Sequence, residues 1–165
     1  MLYLYGMALI VLLVDQGTKW IIATQMELHE RIPVIGDFFL ITSHRNTGAA
    51  FSILEGKRGF FIVLTSIVVI GIVWYLQKVK FSQGEMLPTA LSLILGGALG
   101  NFIDRVVTGE VVDFLQFNFG SYTFPIFNVA DSAICLGAGL LLLDALLSVR
   151  RENKMNEHQE GTVDK

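Results

Sequence analysis

The stretch GEVVDFLQFNFGSYTFPIFNVAD, residues 109–131, decides how this chain is read. It carries a carboxylate near each end, Asp113 and Asp131, with aromatic residues and a proline between them. Upstream lies MLPTALSLILGGALGNFIDR, 86–105, and downstream the chain continues SAICLGAGLLLLDALLSV. Both flanks are apolar and near the ~20 residues that cross a hydrocarbon layer at ~1.5 Å per residue. One carboxylate therefore sits just outside a membrane span, and the other opens a span.

Two further runs qualify as spans: 2–24 and 59–77, joined to the later pair 86–105 and 127–149. The first lacks a basic leader and a small-residue cleavage site, and DQGTK at 15–19 interrupts it, so it reads as a span rather than a cleaved signal peptide. The composition agrees. Of 165 residues, 53% are hydrophobic and only 16% charged, with mean hydropathy +0.58. Soluble domains carry about 25% charged residues. The net charge of −3 and the lack of a basic block point away from nucleic acid. Cys135 is the single cysteine, which excludes an intrachain disulfide; within the last apolar run it reads as a small buried hydrophobe.

The links differ in character. KVKFSQGE, 78–85, is a short polar loop. Residues 25–58 are long; IPVI and FFLIT read as strands about a Gly-Asp turn, and TGAAFSILEG as a helical turn or two. Residues 106–126 are β-branched and aromatic, again strand-like. The tail, 150–165, is polar and reads as disordered.

Four spans place both termini and the 78–85 loop on one side, and the links 25–58 and 106–126 on the other. Arg150, Arg151, Lys154, Lys78 and Lys80 face Arg31, Arg45, Lys57 and Arg58 across the membrane. This small asymmetry leans towards cytoplasmic termini. Intramembrane charges are unfavourable and usually functional, so their depth is informative. Asp15 and Lys19 lie late in the first span, Asn101, Asp104 and Arg105 close the third, and Asn128 and Asp131 open the fourth. Because spans alternate in direction, all fall towards one face, which also carries Asn46 and Asp113. Asp144 is the exception: thirteen residues past Asp131, it belongs near the opposite interface.

Several of these residues have a plain structural explanation. Asp15 and Lys19, at i and i+4, can neutralise each other. Asp104 near the interface reads as structural, and LGGALG as tight helix packing. The aromatics at 114–127 can form an interfacial belt. His29 and His44 lack ligand spacing, so we expect no metal site and no cofactor. Asp113 and Asp131 resist such explanations, since neither has a basic neighbour in sequence. Two carboxylates brought together share a proton. The ionised one can activate water, and the protonated one can polarise a carbonyl and protonate a leaving amine. That suffices for peptide hydrolysis, although a small proton-coupled transporter, or a non-catalytic membrane chaperone, would fit the same carboxylates.

DQGTK at 15–19, NTGAAF at 46–51, GNFIDRVVTGEVVDF at 100–114 and FNVAD at 127–131 together resemble the lipoprotein signal peptidases (signal peptidase II), bacterial membrane aspartyl peptidases. The resemblance implies an all-α membrane fold, a four-transmembrane-helix bundle with a small extracytoplasmic β-cradle. Residues 1–149 would form one peptidase domain, with the cradle at about 25–58 and a second outer link at about 106–126; 150–165 would be a cytoplasmic tail. Asp113 and Asp131 match the catalytic aspartates. Asp15, Lys19, Asn46, Gly48, Asn101, Arg105, Asn128 and Ala130 match positions that shape the site or hold substrate. The implied reaction removes the signal peptide from diacylglyceryl-modified prolipoproteins at the bond before the lipidated cysteine. The implied setting is the bacterial cytoplasmic membrane, with both termini inside and the site near the outer face. Membrane lipids are expected partners, cyclic peptide antibiotics are expected to inhibit at the dyad, and the chain is expected to be a monomer.

Overall fold

The computed structural model describes residues 2–48, 55–78 and 86–163, with side chains to Arg150. Among them, four helices are long and apolar enough to cross a membrane: α1 (Leu2–Gln25), α2 (Arg58–Lys78), α3 (Met86–Val107) and the Val129–Arg150 part of α4 (Val129–Val163). Each matches an expected span to within about two residues, the usual fraying of helix ends. The TGAAFSILEG segment and the 78–85 loop fall largely outside the described residues.

Helix α3 is the central post, packed against α1, α2 and α4. Half of its most apolar window is buried, 50% against 11–22% for the other three. The small residues of LGGALG explain this. A methyl on Gly96 would press on the Ala8 carbonyl at 2.6 Å, and one on Gly97 would strike the Ala130 carbonyl and Ile134. Close backbone approach through small residues is how helices pack where lipid removes the hydrophobic drive between them. At the far end, Leu4, Ala8, Ile72, Leu76 and Leu95 form the buried apolar cluster. Leu13, Trp20, Ile67, Trp74 and Leu142 point outwards, as lipid-facing residues do. Cys135 is also exposed, which corrects the buried reading: a bundle in lipid presents apolar residues outwards as readily as inwards.

These contacts make a clear expectation. Gly97→Ala must displace the α4 backbone beside Asp131, at about 1–3 kcal/mol of stability, and should lower any activity that depends on Asp131. Gly139→Ala, with nothing within 4 Å, is the control and should be neutral or slightly stabilising. Thermal unfolding in detergent checks both.

The links build one antiparallel sheet, ordered β1 (Arg31–Ile35), β2 (Phe39–Asn46), β3 (Val111–Phe119) and β4 (Tyr122–Thr123). The first three were foreseen as strands; β4 was not, since two residues carry no period. Helix α3 ends where Gly109 takes a φ of 87°, and its N–H bonds back to the Asp104 carbonyl. The chain then turns directly into β3. Phe127 bridges to Leu115, which delays α4 from the expected residue 127 to 129. The tail expectation is corrected: α4 continues to Val163 instead of ending at the membrane. ENKMNEHQE is rich in helix formers and holds no proline, so nothing stops the helix there.

Candidate active site

The first turn of α4 is a reciprocal cap. The Asp131 N–H donates to Asn128 Oδ1 at 2.9 Å, and the Asn128 N–H donates to Asp131 Oδ2 at 3.2 Å. This is a capping box, in which two side chains satisfy each other's orphan amides. It fixes the rotamer of Asp131 at a helix N-terminus, where negative charge is favoured. A second acceptor arrives from α1: the Ala130 N–H donates to Asp15 Oδ1 at 2.9 Å. Gly100 makes room for it, since a methyl there would strike the Asp15 carboxylate.

Asp113 comes from β3. In register, His44 faces Asp113 and Asn46 faces Val111, so Asn46 reaches Asp113 diagonally. Asn46 Nδ2 donates to Asp113 Oδ2 at 2.8 Å, and Asn128 Nδ2 donates to Asp113 Oδ1 at 2.7 Å. Asn46 is itself oriented by Gly48, whose N–H donates to Asn46 Oδ1 at 2.9 Å. Asn128 thus touches both carboxylates, through its side chain on one and its backbone on the other. Asp113 is 1% exposed. Burial, and then the neighbouring charge of Asp131, push its carboxyl up to about 7, against the pull of the two amide donors.

Beneath the pair lies a buried cation. Lys19 Nζ sits 2.8 Å from Asp15 Oδ2 and 2.9 Å from Asp104 Oδ2, and donates to Asn101 Oδ1 at 2.8 Å. With that oxygen occupied, Asn101 must turn its Nδ2 to Asp131 Oδ1, at 2.8 Å. The expected Asp15–Lys19 pair is therefore present, and Asp104 joins it in the structural role foreseen. Gln16 was not foreseen. Its Nε2 donates to Asp104 Oδ1 at 2.9 Å and to the Gly100 carbonyl at 3.1 Å, locking α1 to α3. Its signal was its place beside Asp15 in DQGTK. The capping box had a signal too, in the N-x-x-D spacing of NVAD.

Arg105 lies over the Phe61 ring at 4.7 Å and donates to the Gly48 carbonyl at 3.1 Å. It shares a wall with Asn101, as their four-residue spacing requires. Both line a cavity of about 610 Å³ with Asp113, Asp131, Asn46 and the Phe124–Phe127 segment. Every residue proposed from sequence for the site falls in this one network, at the end of the bundle under the sheet. The His29 and His44 rings pair at 5.8 Å, with His44 opposite Asp113 across the strands. Among the described residues, no group of three His, Cys, Asp or Glu side chains could hold a metal.

A buried carboxylate, Asp113, and a half-buried one, Asp131, from different elements and joined by asparagines at the wall of a cavity, are the equipment of an acid–base hydrolase. Residues 7–147 match the family described as signal peptidase (SPase) II. This chain belongs to the signal peptidase II family. The lipoprotein signal peptidase of Halalkalibacterium halodurans is 52% identical over 150 residues, covering 91% of this chain and 96% of that one. That of Bacillus subtilis is 50% identical over 155 residues, covering 93% and 99%. A solved bacterial membrane enzyme superposes with a TM-score of 0.81 at 47% identity, covering 90% of this chain and 89% of the other. The chain is thus a multi-pass membrane peptidase, and the transporter alternative gains nothing from its relatives.

Proposed function

We propose that this signal peptidase II family member cleaves diacylglyceryl-modified prolipoproteins at the bond before the lipidated cysteine, with Asp113 and Asp131 as its catalytic pair. The observation that carries this reading is the joining of the two carboxylates by Asn128 at the mouth of an apolar bundle. The scissile bond of a lipid-anchored precursor lies at the membrane surface, where a pair drawn from a strand and a helix start can reach it. The acyl chains stay in lipid beside the helices.

Asp113, whose carboxyl titrates at about 7, enters as the acid and donates a hydrogen bond to the scissile carbonyl. Asp131 enters as the base. It takes a proton from water, the oxygen attacks the carbonyl carbon, and a tetrahedral intermediate forms. A proton then passes to the amide nitrogen, the C–N bond breaks, and the pair exchanges roles. Asn101, Asn128 and Asn46 hold the carboxylates, Asp15 holds the Ala130 turn, and Arg105, anchored on the Gly48 carbonyl, lines the cavity. We assign the domain to 1–149 and the tail to 150–165, both termini to the cytoplasm, and the site to the outer face. Lys and Arg distribution supports this orientation. The bundle uses its own glycine stripe internally, which supports a monomer. Cyclic peptide antibiotics of suitable shape would compete at the pair, and membrane lipid surrounds the bundle.

The test is incubation of purified protein with lipidated and unlipidated precursor. Only the lipidated form should be cut. The rate should decline above about 7, when Asp113 loses its proton. Equal cutting of both forms would refute lipid recognition. A rate that holds flat well above neutral pH would refute Asp113 as the acid.

A further inference from the structure

A second cavity, of about 600 Å³, lies on the face of the sheet opposite Asp113. Side chains alternate along a strand, so Gln116 and Asn118 point away from the Asp113 face, and both line this cavity. Gln116 is 3% exposed, yet its Oε1 has no hydrogen-bond partner. Its amide orientation is determined by its neighbours. Asn118 Nδ2 donates to the Asp37 carbonyl at 2.8 Å, which turns Asn118 Oδ1 to receive Gln116 Nε2 at 3.0 Å. The Gln116 oxygen is therefore a buried acceptor that lacks a donor, a state folded proteins avoid. Arg31 and Asp37 line the same cavity and are exposed at its rim. Among the described residues neither forms an ion pair, with the other or with a third group.

These three groups specify a ligand. The Gln116 oxygen needs an N–H or O–H donor, and the Asp37 carboxylate needs a cation. A primary ammonium carries three donors and serves both at once. Arg31 offers a guanidinium, the side chain best suited to phosphate oxygens. The matching ligand is a zwitterion, an ammonium and an anionic group a short linker apart. The walls say where it comes from. Phe38 and Phe119 also line the cavity, are exposed, and meet edge to face at 5.6 Å. Tyr122, paired with Phe119 across the β3–β4 turn, is exposed as well. Aromatic side chains bared at the membrane end of a bundle lie at headgroup level.

We propose that this cavity binds the headgroup of an aminophospholipid: its primary ammonium donates to Gln116 Oε1 and the Asp37 carboxylate, its phosphate accepts from Arg31, and its acyl chains leave past Phe38 and Phe119. The lipid then ties β1, the turn after it and β3 to the bilayer. Headgroup chemistry sets the selectivity. Phosphatidylcholine has a quaternary nitrogen without an N–H, so it leaves the Gln116 oxygen unsatisfied. Phosphatidylglycerol has no cation for Asp37. The catalytic pair plays no part in this site, so binding, not cleavage, is the property to measure.

The test is native mass spectrometry of the purified full chain in detergent, titrated with phosphatidylethanolamine, phosphatidylcholine or phosphatidylglycerol of equal acyl chains. Phosphatidylethanolamine should bind about tenfold more tightly than either of the others, the effect of one charge-assisted hydrogen bond. Arg31→Ala, Asp37→Asn and Gln116→Leu should each erase most of that preference. Arg31 and Asp37 are exposed, so their variants carry the test if Gln116→Leu does not fold. Soluble phosphoethanolamine should displace the lipid only at concentrations far above the lipid's own. Equal binding of the three lipids, a preference for phosphatidylglycerol, or a phosphatidylethanolamine preference that survives in the variants overturns the site. Displacement by phosphoethanolamine at the lipid's own concentration overturns the lipid as occupant and assigns the cavity to a free zwitterion.

Discussion

Asp113→Asn and Asp131→Asn should each remove cleavage, a loss on the order of 10⁴-fold, while leaving the bundle folded. Asparagine keeps the size of the carboxylate and one acceptor oxygen but cannot exchange a proton. Each native oxygen of the pair receives an N–H: Asn46 and Asn128 serve Asp113, and Asn101 and the Asn128 backbone serve Asp131. An asparagine turns its own NH₂ towards one of those donors, so one contact is lost, at about 1 kcal/mol. At position 113 a compensating gain follows from linkage. The folded-state pKa of about 7 lies above the ordinary 3.8. Between those values the folded chain holds a proton that the unfolded chain has released, so stability falls as pH rises through the window. Above pH 7, Asp113→Asn escapes that penalty and should melt no lower than the unmodified protein. The double variant should be no less active than either single one, because residues that act as a unit are not additive. Cleavage assays with thermal unfolding across pH 4–9 measure all three. A single variant that keeps substantial turnover would remove that residue from the pair, and Asp15 or Asp104 would be next.

The second large effect should come from Lys19→Met, and it should be a loss of fold before a loss of chemistry. Lys19 is 3% exposed and is the counter-charge for both Asp15 and Asp104. Removing it leaves two carboxylates facing each other in a dry place. Breaking a buried pair in this way is unfavourable by about 3–5 kcal/mol. The variant should accumulate poorly or melt far below the unmodified protein. Asn101 also loses the contact that sets its amide, so residual protein should cut slowly. Adding Asp15→Asn and Asp104→Asn to Lys19→Met should recover much of the melting temperature, since a neutral cluster carries no stranded charge. Recovery of stability without activity would separate the two roles of Lys19. A Lys19→Met protein that melts within a degree or two of normal would show that the ion triad contributes little.

The spans were legible because lipid demands long apolar runs, and no tertiary contact can relax that demand. The face of the site was legible because charge is unfavourable in lipid: Asp15, Lys19, Asn101 and Asp131 fall at one end of the spans in the sequence and in the structure. What the sequence left open concerns amides and ends. Asn101 bridges Lys19 to Asp131 only because α1, α3 and α4 meet there, and no spacing within α3 encodes that meeting. Gln16 is an ordinary polar residue until Asp104 and the Gly100 carbonyl surround it. The tail read as disordered from its polarity alone, yet polar helix formers extend a helix that has already been nucleated. Strand β4 is set by the turn that folds it back on Phe119, not by its two residues.

The bond from the Ala130 N–H to Asp15 joins residues 115 apart in the chain, one in the first span and one in the last. A ribosome delivers them in that order. Asp15 and Lys19 sit four apart on α1 and can enter lipid already neutralised by each other, waiting for partners not yet made. The capping box and the Asp15 contact close only after the final span arrives, and Asp131 gains its fixed geometry at that moment. A nascent chain with three spans inserted holds Asp113 without its mate. With Asp113 and Asp131 as the proposed catalytic pair, the protease comes into being last in its own synthesis, and a half-built copy would have no competence to cut whatever passes through the membrane beside it.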